Sequence, residues 1–128
     1  MAAANSSQKN PHTDPVLGAL FRGSGLTMET FDQAALVADQ QLKVVYFWGD
    51  DCPNCVVAKN QMKEMIEELK ALPAAFLAVD AYVHRDLATR FGLFGIPVYF
   101  LFKNGRTIGR ITSFPGRREL LETIQKFA

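Results

Sequence analysis

The chain has 128 residues, and its 14 basic and 13 acidic side chains give a formal net charge of +1 at pH 7. This length suits one hydrophobic core and is too short for two ordinary domains. Because the charges nearly cancel and form no long run of one sign, nucleic acid and anionic membranes are disfavoured as partners.

Targeting and membrane signals are not evident in the sequence. Residues 1–15 lack an apolar segment behind a basic start, and no later stretch approaches the roughly 18 apolar residues that a membrane span needs. The sequence therefore predicts a cytoplasmic protein. A periplasmic location is the alternative if an export signal has been removed.

The N-terminal part shows little periodicity, and proline and glycine recur in it. This composition predicts a flexible arm over residues 1–25, followed by a single domain over residues 26–128. Thr27 is a candidate N-cap, because its hydroxyl can accept a hydrogen bond from a backbone N–H in the first helical turn. The first predicted helix covers residues 27–40.

Two buried strands and the helix between them come next. Near-continuous apolar residues over Leu42–Trp48 and Ala74–Asp80 are typical of strands covered on both faces, as in a parallel sheet. A helix is predicted from Pro53 to just before Pro73, since proline is favoured at the first helical position and ends a helix later on. Lys59 falls on the predicted solvent face of this helix.

The rest of the chain changes to a hairpin. A short helix is predicted over residues 84–91, strands over residues 98–102 and 107–112, and a final helix over residues 119–127. Asn104-Gly105 between the two strands is a strong hairpin signal. A βαβ half joined to a ββα half predicts an α/β fold with a mixed central sheet and helices on both faces.

The only two cysteines, Cys52 and Cys55, flank Pro53-Asn54 where the first strand gives way to a helix. At positions i and i+3 their side chains share one helix face, so the two sulfurs can meet in a small disulfide ring. Unpaired N–H groups at the helix N-terminus would stabilise a thiolate at Cys52. The alternatives are a pair of buried thiols or half of a zinc site, but a zinc site needs two more ligands, and His12 and His84 are not convincingly spaced to supply them. The pattern favours redox chemistry.

This order of elements and placement of cysteines resembles the thioredoxin family over residues 26–128. Four motifs carry the resemblance: Phe47-Trp48 ahead of Cys52-Pro53-Asn54-Cys55, the strand end Val79-Asp80, the loop Phe91-Gly92-Leu93-Phe94-Gly95-Ile96-Pro97, and the hairpin Phe102-Lys103-Asn104-Gly105. The resemblance implies a thioredoxin-like three-layer fold. It also implies a thiol-disulfide oxidoreductase, expected to act as a protein disulfide reductase.

By this similarity the two cysteines are catalytic and cycle between dithiol and disulfide. Cys52 is implied to be the exposed attacking thiol and Cys55 the shielded resolving thiol. The disulfide is the expected redox group, with no bound cofactor and no metal. Ile96-Pro97 is implied to be a cis peptide bond beside which an extended substrate pairs. The expected substrate contacts are Trp48, Pro53, Asn54, Ile96, Pro97 and Phe114.

The resemblance also implies partners. Disulfide-containing proteins are the expected substrates, and an electron donor such as a thioredoxin reductase is expected to return the protein to its dithiol form. A monomer is expected, and neither nucleic acid nor a membrane is an expected partner.

Several positions near the cysteines depart from the family pattern. Tyr46 stands where the family usually has a buried Asp, and Ala78 where it usually has a Lys. Because an ordinary tyrosine stays neutral at pH 7, Cys55 must lose its proton by another route. Asp51 replaces the usual Trp before the first cysteine, and with Asp50 it opposes the effect of the helix N-terminus on Cys52.

These departures support a second hypothesis, a thioredoxin-fold binding or scaffold module with little redox turnover. In this interpretation Phe114 and the Ile96-Pro97 loop dock a partner, although Phe114 is equally well explained as a packing residue. The other phenylalanines of this region are expected in the core: Phe91, Phe94, Phe100 and Phe102.

Overall fold

A four-stranded mixed sheet forms the centre of the computed structural model, which describes residues 10–128. Its strands lie in the order β2-β1-β3-β4. β1 pairs in parallel with β2 and antiparallel with β3, and β3 pairs antiparallel with β4. The strands are β1 (Leu42–Trp48), β2 (Ala74–Asp80), β3 (Val98–Lys103) and β4 (Arg106–Thr112).

Helices cover both faces of the sheet. Side chains of α2, α3 and α5 pack with the strand residues around Tyr46, and those of α1 and α4 pack around Phe47. Successive strand residues point to opposite faces, so these two neighbours belong to separate cores. The predicted three-layer α/β fold is therefore confirmed. The helices are α1 (Met28–Ala35), α2 (Pro53–Glu64), α3 (Ile66–Lys70), α4 (Arg85–Arg90) and α5 (Arg117–Phe127).

The ends of the helices differ from the prediction in two places. Thr27 does cap α1, with its hydroxyl accepting from the Thr30 N–H, but α1 stops at Ala35, short of residue 40. The long helix predicted after Pro53 is two helices, because Met65 leaves the helical conformation with φ −117° and ψ 26°. Among the described residues, no helix has the length and apolar character needed to cross a membrane.

The hairpin between β3 and β4 forms at the predicted turn. Asn104 and Gly105 have φ values of 55° and 76°. Two successive positive φ values are what a two-residue hairpin loop requires, and asparagine and glycine accept them most readily. The local sequence signal is therefore sufficient for this element.

Residues 10–25 pack onto the domain, which differs from the flexible arm expected there. A single 3-10 turn covers Leu17–Ala19, and Leu17, Leu20 and Phe21 are buried in the core around Tyr46. Phe21 also forms a single parallel bridge with Phe76 at the free edge of β2. Burial of these apolar side chains holds the segment in place. Residues 1–9 of the expected arm lie outside the described residues.

Candidate functional site

The two cysteines lie where β1 ends and α2 begins, and a disulfide bond joins them. Cys52 is the N-cap of α2, and its Sγ accepts a hydrogen bond from the Cys55 backbone N–H at 3.1 Å. Pro53 occupies the start of the helix, as predicted. The Cα atoms of the cysteines are 5.2 Å apart, within the usual range for disulfides. The prediction that the two sulfurs can meet is confirmed.

The two cysteines face different spaces although both are buried. Cys52 is 7% exposed and Cys55 is 5% exposed. The expectation that Cys52 is exposed is therefore wrong. Cys52 nevertheless lines an open groove, whereas Cys55 lines a small interior void behind it. A substrate in the groove would therefore meet Cys52 first.

The groove beside Cys52 has a volume of about 730 Å³. It lies between the N-terminus of α2, the start of α4 and the loop that precedes β3. Phe94 stands fully exposed at its rim, which corrects the expectation that this residue is in the core. The groove is lined by Asp51, Cys52, Pro53, Asn54, Ala81, Tyr82, Arg85, Ala88, Thr89, Leu93, Phe94, Gly95 and Ile96.

Tyr82, Arg85 and Phe94 were not among the site residues predicted from the sequence. The sequence did indicate a position near the site for Tyr82 and Arg85. Both follow β2, which is parallel to β1, and residues that follow the carboxyl ends of parallel strands meet at one edge of the sheet. Phe94 gave no such signal, since its exposure depends on the course of the loop before β3. These three side chains add apolar surface and one positive charge to the groove.

Three of the predicted contact residues, Pro53, Asn54 and Ile96, line the groove. The Ile96-Pro97 peptide bond is cis, as the resemblance implied. The Ile96 carbonyl oxygen lies 3.7 Å from the Cys52 Sγ. Pro97 is buried and borders a second groove on the other side of Phe94. The loop before β3 therefore lies directly against Cys52.

The other two predicted contact residues lie elsewhere. Trp48 is buried and lines the interior void beside Cys55. Phe114 is half-buried and packs against the core around Tyr46, and it does not line the groove beside Cys52. The positions of these two side chains favour packing over substrate contact.

Gly49 allows the walls of the site to close around the cysteines. A Cβ atom on this residue would lie 2.6 Å from the Tyr82 ring and 2.9 Å from Ile96 Cδ1. Both distances are shorter than non-bonded carbon atoms accept. The absence of a side chain at Gly49 is therefore what lets Tyr82 and Ile96 approach each other above the end of β1.

Three acidic side chains follow or end the neighbouring strands β1 and β2, and one of them, Asp51, lines the groove beside Cys52. Asp51 has a φ of 54°, in the left-handed region that few residues other than glycine adopt. Asp80, at the end of β2, accepts hydrogen bonds from the Tyr82 and Val83 N–H groups at 3.1 and 3.2 Å. Burial, with a smaller contribution from the Asp50 charge, raises the pKa of Asp80 despite these bonds. Negative charge is thus concentrated near the strand ends.

Tyr46 lies behind Cys55, at the position where the family resemblance implies a carboxylate. Its hydroxyl donates a hydrogen bond to the Cys55 carbonyl oxygen at 3.3 Å, and its ring stacks on Tyr99 at 5.2 Å between centroids. Burial raises the pKa of Tyr46 well above its ordinary value. Tyr46 is therefore neutral and supports the backbone of Cys55 without taking its proton.

Lys59 is buried, which corrects its expected place on a solvent face. Its Nζ lies 3.8 Å from the carboxylate of the buried Asp14, and the Nζ of Lys63 lies 3.4 Å from the same oxygen. The reason is the N-terminal segment, which covers this side of α2 and brings a carboxylate with it. Sequence patterning of the helix alone could not reveal this partner.

The disulfide is the redox group that the site presents. Among residues 10–128, no three or more His, Cys, Asp or Glu side chains are grouped so that they could hold a metal ion. Cys52 and Cys55 are joined to each other.

Comparisons with known proteins agree with the fold. The family model described as Thioredoxin matches residues 24–126. "Thioredoxin-2, mitochondrial" of Schizosaccharomyces pombe is 29% identical over 85 residues, which cover 66% of this chain and 62% of that protein. "Protein disulfide-isomerase A4" of Homo sapiens is 32% identical over 83 residues, which cover 63% of this chain and 13% of that protein.

A solved structure shares the fold. A mutant thioredoxin from Halobacterium salinarum superposes with a TM-score of 0.67 at 18% sequence identity, covering 80% of this chain and 87% of the other. The chain spans 13% and 62% of the lengths of the two curated relatives. Because the family model matches most of its residues, this chain belongs to the thioredoxin family.

Proposed function

We propose that this protein is a thiol-disulfide oxidoreductase that reduces disulfides in other proteins by cycling Cys52 and Cys55 between dithiol and disulfide. One observation carries the proposal: the two cysteines are bonded at a helix N-terminus, and only Cys52 lines the open groove. Membership of the thioredoxin family supports the same chemistry.

The reaction proceeds in two exchanges. The Cys52 thiolate attacks one sulfur of a substrate disulfide, the substrate S–S bond breaks, and the departing sulfur leaves with the electron pair and takes up a proton. Cys55 then loses its proton and attacks Cys52, which releases the second substrate sulfur as a thiol. The protein ends as the disulfide and the substrate as two thiols.

The surroundings of Cys52 suit the first exchange. Its Sγ accepts from the Cys55 N–H, and the positive end of the α2 dipole favours negative charge at this position. In the reduced protein the Ile96 carbonyl, 3.7 Å away in the oxidised form, is placed to accept from the thiol. These contacts hold the sulfur in a fixed position facing the groove.

The substrate is an extended protein segment with apolar residues near its disulfide. Tyr82, Leu93, Phe94 and Ile96 give the groove apolar walls, and Arg85 adds a positive charge at one side. An extended segment can place alternate side chains against such walls while its backbone runs past the loop before β3. We expect preference for apolar residues, with acidic residues tolerated near Arg85.

The partners and location follow from the same proposal. Electrons come from an external dithiol donor such as a thioredoxin reductase, and the protein acts as a monomer in the cytoplasm. The near-zero net charge supports protein substrates over nucleic acid or a membrane surface.

Reduction of insulin with a dithiol donor tests the proposal. We expect turnover by the native protein and loss of turnover in Cys52→Ser, because Cys55, the one cysteine left in that variant, does not line the open groove. Cys55→Ser should instead accumulate a covalent adduct with insulin through Cys52. Turnover no faster than that of Cys52→Ser would contradict the proposal and favour a binding module.

A further inference from the structure

Cys55 must lose a proton before it can resolve the mixed disulfide, and it faces an interior void of about 10 Å³. This volume is about that of one water molecule. Tyr46 also lines the void, but its raised pKa makes it no proton acceptor near neutral pH. The group that stabilises a Cys55 thiolate must therefore be sought elsewhere around this void.

Among residues 10–128, Lys59 is the one basic side chain that lines the void with Cys55. It follows Cys55 by four residues in α2, so the two side chains lie on the same helix face. Lys59 is only 9% exposed, which leaves its charge weakly screened by solvent. A positive charge in this position stabilises a thiolate at Cys55.

Asp14 holds Lys59 on this face of the helix. One carboxylate oxygen of Asp14 accepts from the Val16 and Leu17 N–H groups at 2.8 and 3.0 Å, and the other faces Lys59 and Lys63. Burial acts to raise the pKa of Asp14, but the two backbone donors and Lys63 hold it below its ordinary value. Asp14 is therefore ionised at neutral pH and keeps a positive charge opposite it.

We propose that Lys59, positioned by Asp14, promotes the resolving step by stabilising the thiolate of Cys55. This inference rests on the proposed oxidoreductase function. Cys55 gives its proton to water in the void, its sulfur bonds to Cys52, and the bond from Cys52 to the substrate breaks with both electrons leaving on the substrate sulfur. The proton returns to that sulfur from solvent, so the substrate departs as a thiol.

Other charged and titratable groups lie around Lys59 and Cys55. Asp14 and Lys63 face Lys59 from the N-terminal segment and from α2, and Tyr46 faces the void from β1. Asp50 and Asp80 lie near the ends of the two neighbouring strands. Of the described residues that line the void, only Lys59 carries a positive charge, and Tyr46 is neutral. Changes at Lys59 should therefore act on Cys55 more than changes at Lys63.

A purely structural role for Lys59 makes a different prediction. If the Asp14 pair only fastens the N-terminal segment to α2, then loss of Lys59 lowers stability and leaves the pH dependence of the resolving step unchanged. Lys63 is the matched control, because it contacts the same carboxylate oxygen at 3.4 Å but does not line the void.

The test follows the reaction of the reduced protein with dithiobis(nitrobenzoate) by stopped-flow absorbance. The first thionitrobenzoate reports attack by Cys52, and the second, released in a first-order phase, reports resolution by Cys55. Lys59→Met should slow the second phase about tenfold at neutral pH. It should also raise the pH at which the rate of this phase is half-maximal, since an adjacent opposite charge shifts the pKa of an ionisable group by about one unit or more. Lys59→Arg and Lys63→Met should keep the native rate and midpoint.

Each outcome decides one question. A Lys59→Met second phase with the native rate and midpoint overturns the role of Lys59. Failure of the native protein to release a second thionitrobenzoate overturns the proposed function instead. If Lys59→Met does not fold, Lys59→Gln supplies the neutral variant, with the same upward shift expected. The first phase serves as the internal control, because Cys52 does not line the void.

Discussion

Gly49 determines how closely the side chains of Tyr82 and Ile96 approach the end of β1. It is buried directly after β1, and a methyl group there would meet the Tyr82 ring at 2.6 Å and Ile96 Cδ1 at 2.9 Å. Both neighbours are outer parts of side chains, and the ring of Tyr82 is half exposed. They can move aside at modest cost in stability, but the groove then changes shape next to Cys52.

Replacement of Gly49 by alanine should therefore harm turnover more than folding. We expect the free energy of unfolding to fall by about 1 kcal/mol and kcat/KM for insulin reduction to fall about tenfold. Gly109→Ala is the control, because its new Cβ would meet only Leu101 Cδ1 at an ordinary 3.8 Å. Urea denaturation and steady-state kinetics of both variants measure the effect. Equal activity losses in the two variants would contradict this account of Gly49.

Individual elements were predictable from the sequence where the signal is local. All four strands, the Asn104-Gly105 turn and the Pro53 helix start follow from patterns within a few residues, and the structure has each of them. The break at Met65 was not predictable, because no proline or glycine marks it. Met65 itself is buried in the core around Tyr46.

The candidate site divides in the same way. The cysteine pair and the Ile96-Pro97 loop are local motifs and were found, whereas Lys59 depends on Asp14, 45 positions earlier in the chain. Tyr82 and Phe94 likewise join the site only when the loops after β2 and before β3 are placed beside α2. The spacing of apolar residues along a helix or strand gives no information about tertiary neighbours of this kind.

Phe94, in the loop between α4 and β3, is predicted to contact protein substrates. This ring is fully exposed at the rim of the groove, so Phe94→Ala should leave the free energy of unfolding unchanged. Loss of apolar contact with a protein substrate should raise the KM for insulin about fivefold with kcat unchanged. Val37→Ala is the control, since Val37 is also exposed but precedes the opposite end of β1. A KM equal to that of the native protein would exclude Phe94 from substrate binding.

The segment before α1 contributes apolar side chains to the core of the domain. Leu17, Leu20 and Phe21 follow the i, i+3, i+4 spacing of a helical face and are all buried. This signal was present in the sequence, but the surrounding prolines and glycines outweighed it. The bridge from Phe21 to Phe76 covers part of the free edge of β2, where an open strand would otherwise invite pairing with another chain. Asp14 fixes the start of this segment to α2 through two lysines.

The charge of Asp14 gives this attachment a defined pH dependence. Its pKa in the folded protein lies below the ordinary value, and the unfolded value is about 3.9. The stabilisation from the Asp14 charge is therefore complete above about pH 5, decreases below that pH, and is lost as the pH falls through the lower, folded pKa. Asp14→Asn keeps an oxygen that can accept from the Val16 and Leu17 N–H groups but removes the charge that faces Lys59 and Lys63.

At neutral pH Asp14→Asn should lower the free energy of unfolding by about 1–2 kcal/mol, and the difference from the native protein should shrink on acidification below about pH 5. Asp32→Asn is the control, because Asp32 is an exposed carboxylate that pairs with Arg90 and exposed pairs contribute about 1 kcal/mol or less. Urea denaturation at several pH values measures both differences. A deficit in Asp14→Asn that stays constant on acidification would mean that the charge of Asp14 does not hold the segment, and that its hydrogen bonds and the burial of Leu17 and Phe21 do so alone.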